Sequence, residues 1–313
     1  MSNTSRSKIQ LAISTCPNDT FAFHALMHRL VDWQGLEFEV RLLDIQELNE
    51  GLFRGEFDVA KTSFHAALLL ADQTVVLPSG SALGFGVGPL LLSASPDRTK
   101  PPGTDHSGTD HSGSDRSGSD RSAAEKQIVL CPGEQTTATL LFQLFYGRFP
   151  HQQEVVVQQC VFSDIMPKLV RGEADYGVCI HEGRFTWQQQ GLGLVEDLGV
   201  RWETETDCPL PLGGLVARRT LPFDTISKIQ QVIRSSIEYA CHTPESALPT
   251  MRKYAQEFDD RVLMQHVDLY VNDWTIELGE VGRLAIDELS RRASEKGVMT
   301  PRTIEIFTPT PNH

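Results

Sequence analysis

The sequence repeats part of itself, and the repeat restricts what the chain can fold into. Arg54-Gly55-Glu56-Phe57-Asp58 returns 117 positions later as Arg171-Gly172-Glu173-Ala174-Asp175. At that spacing Leu48 meets Ile165 and Leu52 meets Leu169, while Cys16-Pro17 returns 115 positions later as Cys131-Pro132. Two matched pieces in the same order and at nearly the same spacing point to a structural repeat. Each unit has a strand, a Cys-Pro step and a helix, then a strand, a helix, the Arg-Gly-Glu-x-Asp piece and another strand. Strands alternating with helices build a mainly parallel sheet covered on both faces. The expected fold class is therefore α/β, with two lobes of like topology.

Periodicity fills in the order of elements. Ile9, Leu11 and Ile13 alternate with polar or small residues, which makes 8–14 a half-buried strand. A helix is expected from Asn18 and Asp19, carrying Phe23, Leu26, Met27 and Leu30 inward. Strands follow at 36–42 and 57–63, with a helix on Ile45, Leu48 and Leu52 between them and another at 64–71. In the second unit the strands fall at 127–131, 154–161 and 176–180, with helices on Leu140–Leu144 and at 163–171. Glycine-entered strands at 84–93 and 210–217 are candidate crossings between lobes. Helices on Ile226–Ile237, at 244–258 and from Asp273 or Thr275 through Val281, Leu284 and Leu289 would return the chain to the first lobe. This gives a discontinuous domain of residues 1–93 plus 212–313 and a smaller one of 94–211. Between them 96–126 carries Gly-Thr-Asp-His-Ser twice and Gly-Ser-Asp-Arg-Ser twice. Pentapeptides without apolar residues cannot bury a core, so a disordered insertion is expected there. His106 and His111 fit a solvated insertion better than a metal site.

With 313 residues the chain can form two ordinary domains. A net charge of −13 disfavours nucleic acid and anionic membranes as partners. No apolar run is long enough to span a bilayer. The polar start, with no apolar signal region, implies a cytoplasmic location. Six scattered cysteines without a CxxC pair fit reduced thiols, not a disulfide frame or a metal site. Oligomeric state is not legible.

In parallel α/β lobes ligands bind beyond the carboxyl ends of strands, near helix N-termini. Four stretches qualify: 16–20, 61–65, 133–138 and 181–186. His181 follows an apolar strand and can exchange a proton near neutrality; capping the strand is the equal alternative. Thr136, Thr137 and Ala138 open a helix whose free N–H groups can hold a carboxylate, or the threonines simply cap it. Asn18 has the same two readings, and for Asp19 capping is preferred. Lys61, in an apolar strand, needs a carboxylate partner, either a ligand or Asp58. Ser63 can bind a ligand hydroxyl or cap the next helix. Arg184 can anchor a carboxylate or make an internal salt bridge. Glu182, adjacent to His181, points the other way on an extended chain. Cys16 and Cys131 suit packing better than nucleophilic attack. Dinucleotide, Walker, HExxH and GxSxG motifs are all absent.

Five segments together resemble a known family. They are Cys-Pro-Asn-Asp-Thr-Phe (16–21), Asp-Val-x-Lys-x-Ser (58–63), Gly-x-Gly-Val-Gly-Pro-Leu-Leu (84–91), Pro-Gly-x-x-Thr-Thr-Ala (132–138) and Ile-His-Glu-Gly-Arg-Phe-Thr (180–186). Leu-Pro-Leu-Gly-Gly (210–214) fits as well. They are similar to the 1,4-dihydroxy-6-naphthoate synthases of the futalosine route to menaquinone, over about residues 9–295 apart from the insertion. The resemblance implies a two-lobed clamp like type II periplasmic binding proteins. It implies a lyase that converts cyclic dehypoxanthinyl futalosine to 1,4-dihydroxy-6-naphthoate without a cofactor. It places the general base on His181 and carboxylate binding on Thr137 and Ala138, with Asn18 and Ser63 as further pocket positions. A chorismate dehydratase of the same pathway and a non-catalytic carboxylate-binding protein are the competing readings.

Overall fold

The computed structural model describes residues 8–103, 126–147, 155–181, 183–255 and 259–309. The chain begins with β1 (Ile9–Ser14), α1 (Pro17–Ala22), α2 (His24–Met27), β2 (Phe38–Leu43), α3 (Ile45–Phe53), β3 (Val59–Ser63), α4 (Phe64–Leu69), β4 (Thr74–Val76) and β5 (Ala82–Gly84). It continues with β6 (Leu90–Ser93), β7 (Gln127–Cys131), α5 (Thr137–Tyr146), β8 (Val155–Gln159), α6 (Phe162–Val170), β9 (Tyr176–Cys179), α7 (Gly183–Thr186), β10 (Gly193–Asp197) and α8 (Leu198–Thr206). It returns through β11 (Leu210–Arg218), α9 (Phe223–His242), α10 (Leu248–Tyr254), α11 (Asp260–Tyr270), α12 (Asp273–Ile276) and α13 (Gly279–Glu295).

Two mixed sheets form the two lobes. One has the order β2-β1-β3-β11-β4, with β5 also on β11; the other has β10-β6-β9-β7-β8. In the first, β1 is parallel to β2 and β3, and β11 runs against β3. In the second, β7 is parallel to β8 and β9, and β6 runs against β9. The repeat is thus structural, and its residues explain why it recurs. Gly55 (φ 72) and Gly172 (φ 68) take the left-handed conformation that ends each helix. Beside them Arg54 pairs with Glu56, and Arg171 with Glu173. The aspartate that follows accepts the N–H of the neighbouring strand, Asp58 from Gln10 and Asp175 from Ile128, each at 2.9 Å.

Both crossings fall earlier than expected. Strand 90–93 belongs to the second sheet, so the first crossing falls at 85–89 and not at 93. The second crossing falls at 207–209. In the first crossing Gly88 leaves no room for a side chain: a Cβ would lie 2.2 Å from the Gly199 Cα. Helix α8, which carries Gly199, packs its fully buried Trp202 against the returning chain, with Nε1 donating to the Pro209 carbonyl. One apolar cluster runs through both lobes, from Leu48, Phe57 and Phe64 to Phe142, Tyr176 and Trp202. The lobes therefore share a core at the crossing.

Local structure differs from expectation in four places. The first helix breaks at Phe23, and Leu30 lies exposed beyond its second piece. In place of one helix, 244–254 forms a short 3₁₀ turn plus α10, and the last helix splits at 277–278, leaving Val281 and Leu284 exposed. Disorder was expected from 96, yet 96–103 is tied to the second lobe. Arg98 bonds Asp175 at 2.8 Å, the Lys100 carbonyl accepts from Tyr176, and the Gly103 N–H donates to Gln127. The pentapeptide repeats, at 103–122, lie outside the described residues from 104 onward, and with them His106 and His111.

Candidate functional site

A cleft opens between the lobes. Its walls come from all four strand ends. Cys16, Asn18, Asp19, Lys61 and Ser63 line it from the first lobe, and Thr136, Thr137, Ala138 and His181 from the second. The topology demands this, because in each lobe the loops after the first and third parallel strands leave the same edge of the sheet.

His181 follows β9 in a tight turn. Its φ of 55 is unusual for a residue with a side chain and costs about 1–3 kcal/mol. The strained turn projects the imidazole across the cleft. Cys16 Sγ lies 3.3 Å from both ring nitrogens. Equal distances cannot be reached along either nitrogen's in-plane lone pair, so the sulfur sits over the ring and leaves both nitrogens directed elsewhere. Phe162 packs edge-on at 4.8 Å. Loss of hydration, then the charge of Lys61, push the imidazole down to about 4. At neutral pH the ring is uncharged and has a lone pair to offer.

Opposite it lies a buried ion pair. Lys61 Nζ donates to Asp19 at 2.9 Å and to the Gly80 carbonyl at 2.8 Å. Asp19 also accepts from the Ser14 N–H and the Asn18 amide. Its role is thus to hold Lys61, not to cap α1, whose N-cap is Cys16. Asp58, the partner considered for Lys61, is instead bound to Gln10. An ammonium has three donors and two are taken, so one remains for the cleft. Ser63 Oγ accepts from Asn49 at 3.2 Å, which leaves its own hydrogen for a ligand. Asn49, 1% exposed, also accepts from the Thr62 hydroxyl and the Ser63 N–H. The sequence reading missed Asn49; a lone polar residue on the inward face of α3 was the available signal.

The start of α5 is built to present backbone N–H groups. Thr136 caps the helix, accepting from Thr139 N–H and donating to the Gly133 carbonyl. The Thr137 hydroxyl is engaged too: it donates to the Leu212 carbonyl at 2.7 Å and accepts from the His65 N–H, joining the lobes. What these residues keep for a ligand is the N–H of Thr137 and Ala138, which have no partner within the helix. Together with the helix dipole they make an anion seat.

Arg184 does not line the cleft. Its guanidinium bonds Asp197 at 2.6 Å and the Gly88 carbonyl at 2.8 Å. It ties the His181 turn to the crossing, so the expected direct carboxylate contact is replaced by a structural one. Glu182 lies outside the described residues. Cys131 is fully buried, and burial pushes its thiol up to about 12, which suits packing. Among the described residues no three metal-ligating side chains cluster, and no helix is long and apolar enough to cross a membrane.

Fold and site together define a two-lobed clamp of the binding-protein type, with a histidine and a helix N-terminus in its cleft. Solved structures agree on the fold. A protein from Archaeoglobus fulgidus matches with a TM-score of 0.80 at 29% identity, covering 95% of this chain and all of that one. The ligand-binding component of an ABC-type import system from Staphylococcus aureus matches with a TM-score of 0.65 at 11% identity, covering 96% and 97%. The chain belongs to the menaquinone biosynthesis family, whose model matches residues 9–295. Two enzymes described as 1,4-dihydroxy-6-naphtoate synthase are similar over nearly the full length. The one from Thermus thermophilus is 36% identical over 96% of this chain and 98% of its own. The one from Streptomyces coelicolor is 37% identical over 93% and 94%.

Proposed function

We propose that the protein is a 1,4-dihydroxy-6-naphthoate synthase acting on cyclic dehypoxanthinyl futalosine. The observation that carries the reading is the neutral His181 facing a cleft that also contains a helix N-terminus suited to a carboxylate. The substrate carboxylate sits on the N–H groups of Thr137 and Ala138. Ser63 and the remaining Lys61 donor bind its oxygens on the opposite wall, with Asn18 beside them. His181 takes the proton from the carbon next to the carbonyl. The released electron pair forms a ring double bond as the carbon–carbon bond to the sugar-derived fragment breaks. Protonated His181 is then placed to return the proton to that fragment. Aromatisation drives the step, so the protein needs to supply position, a base and exclusion of water. A positioned base contributes about 10²–10⁴-fold.

The test is incubation of the purified protein with cyclic dehypoxanthinyl futalosine and, separately, with chorismate, followed by chromatography. Formation of 1,4-dihydroxy-6-naphthoate from the first alone is expected. Product from chorismate alone would assign the other enzyme of the pathway, and binding without product would make the protein a carrier.

A further inference from the structure

Helix α11 places a second histidine beside the first. His266 is 1% exposed, and among the described residues neither of its ring nitrogens has a hydrogen-bond partner. Leaving a polar group unpaired in the interior costs about 1–3 kcal/mol. Phenylalanine or leucine would fill the same space without that cost. The ring is packed among aromatics: Tyr270 at 4.5 Å, Phe185 at 6.3 Å and His181 at 6.2 Å. Its plane is 26° from that of His181, which reaches it from the other lobe. The two imidazoles therefore face one another, His181 lining the cleft and His266 behind it.

We infer that His266 is a positioning residue that acts through His181, sharing the substrate-derived proton with it between abstraction and return. The inference rests on the function proposed above. When one His181 nitrogen takes the proton from carbon, the ring becomes a cation away from bulk water. A hydrogen bond from its other nitrogen through one water to His266 spreads that charge over two rings. The proton returns by the same route to the leaving fragment, so no other reactant is needed. Other charged groups do not take this role. Lys61, beyond His181, opposes the cation, and Asp19 on α1 is held by Lys61. Cys16 lies over the His181 ring, and Tyr270 is on the same helix as His266. Arg252 on α10 is bound to Asp260 at the far end of α11, and β5 carries no titratable group.

The test compares full-length wild type with His266→Phe and His266→Gln, measuring kcat and KM for cyclic dehypoxanthinyl futalosine over pH 5–9. It also follows the His181 ring nitrogens by NMR without substrate. Proton sharing predicts KM within about threefold, kcat lower by at least about tenfold in both variants, and a His181 titration displaced to lower pH. His266→Phe should keep or raise the melting temperature, because it removes two unpaired nitrogens. Packing alone predicts that His266→Phe retains kcat and the titration, and that result overturns the inference. A His181 titration displaced to higher pH also overturns it, since it would mean repulsion without sharing. If wild type does not turn over this substrate, the functional reading fails while the NMR titration still decides the histidine pair. His266→Gln supplies the comparison if His266→Phe does not fold.

Discussion

Replacing Lys61 by methionine should destabilise the protein far more than loss of an ordinary salt bridge. The Lys61 and Asp19 side chains are 7% and 2% exposed and lie 2.9 Å apart. Removing one partner leaves the other charge in the interior, which costs about 3–5 kcal/mol, against about 0–1 kcal/mol for an exposed pair. Asp19 would keep its bonds from Ser14 and Asn18, which places Lys61→Met toward the lower end. Asp19→Asn leaves the ammonium with only the Gly80 carbonyl and should cost at least as much. The double variant removes both charges and should recover about 2–3 kcal/mol of the summed loss, the upper part of the range for contacting residues. Equilibrium unfolding in urea measures all four proteins, and the core shared by the lobes makes a single transition the expectation. Single-variant losses below about 1 kcal/mol, or additive ones, would refute the claim that this pair is buried and coupled.

Other expectations follow from neighbouring features. Gly88→Ala should lower stability by about 1–3 kcal/mol, because its Cβ meets backbone at 2.2 Å and one crossing must move; urea unfolding again reads it. Arg184→Met should lower kcat more than it raises KM, since it frees the His181 turn from Asp197 and Gly88 without touching the cleft. Steady-state kinetics would show this, and a change confined to KM would contradict it. Acid should destabilise the fold in a defined window. His181 and His266 stay unprotonated when folded but take protons below about pH 6.5 when unfolded. The unfolded state then binds more protons, so stability present above pH 6.5 is lost as pH falls toward about 4. Denaturant midpoints at pH 7 and 5 should differ in that direction, and less so in His181→Ala combined with His266→Phe.

Much of this was legible in the sequence because the repeat places equivalent residues at equivalent strand ends. With Asp58 matched to Asp175, the facing walls at 16–20, 61–65, 133–138 and 181–186 follow from topology. Partners were not legible. Lys61 bonds Asp19, 42 positions away across the sheet edge, and nothing local distinguishes Asp19 from Asp58. Arg184 looked equally fit for a ligand or an internal pair until the crossing at Gly88 brought Asp197 beside it. Helix α11 went unnoticed although Leu263, Val267 and Tyr270 recur at helical spacing and are buried. Its His266 gains meaning only from packing against His181. The three-residue strands β4 and β5 carry too few residues to show an alternation.

Removing the imidazole of His181 tests the account most directly. His181→Ala should bind cyclic dehypoxanthinyl futalosine with an affinity within about threefold of wild type by calorimetry, because the anion seat on α5 and the Lys61 wall are intact. Its single-turnover rate of 1,4-dihydroxy-6-naphthoate formation should fall by at least about 10²-fold, the contribution of a positioned base. Turnover within a few-fold of wild type would contradict the central claim and move the base elsewhere in the cleft.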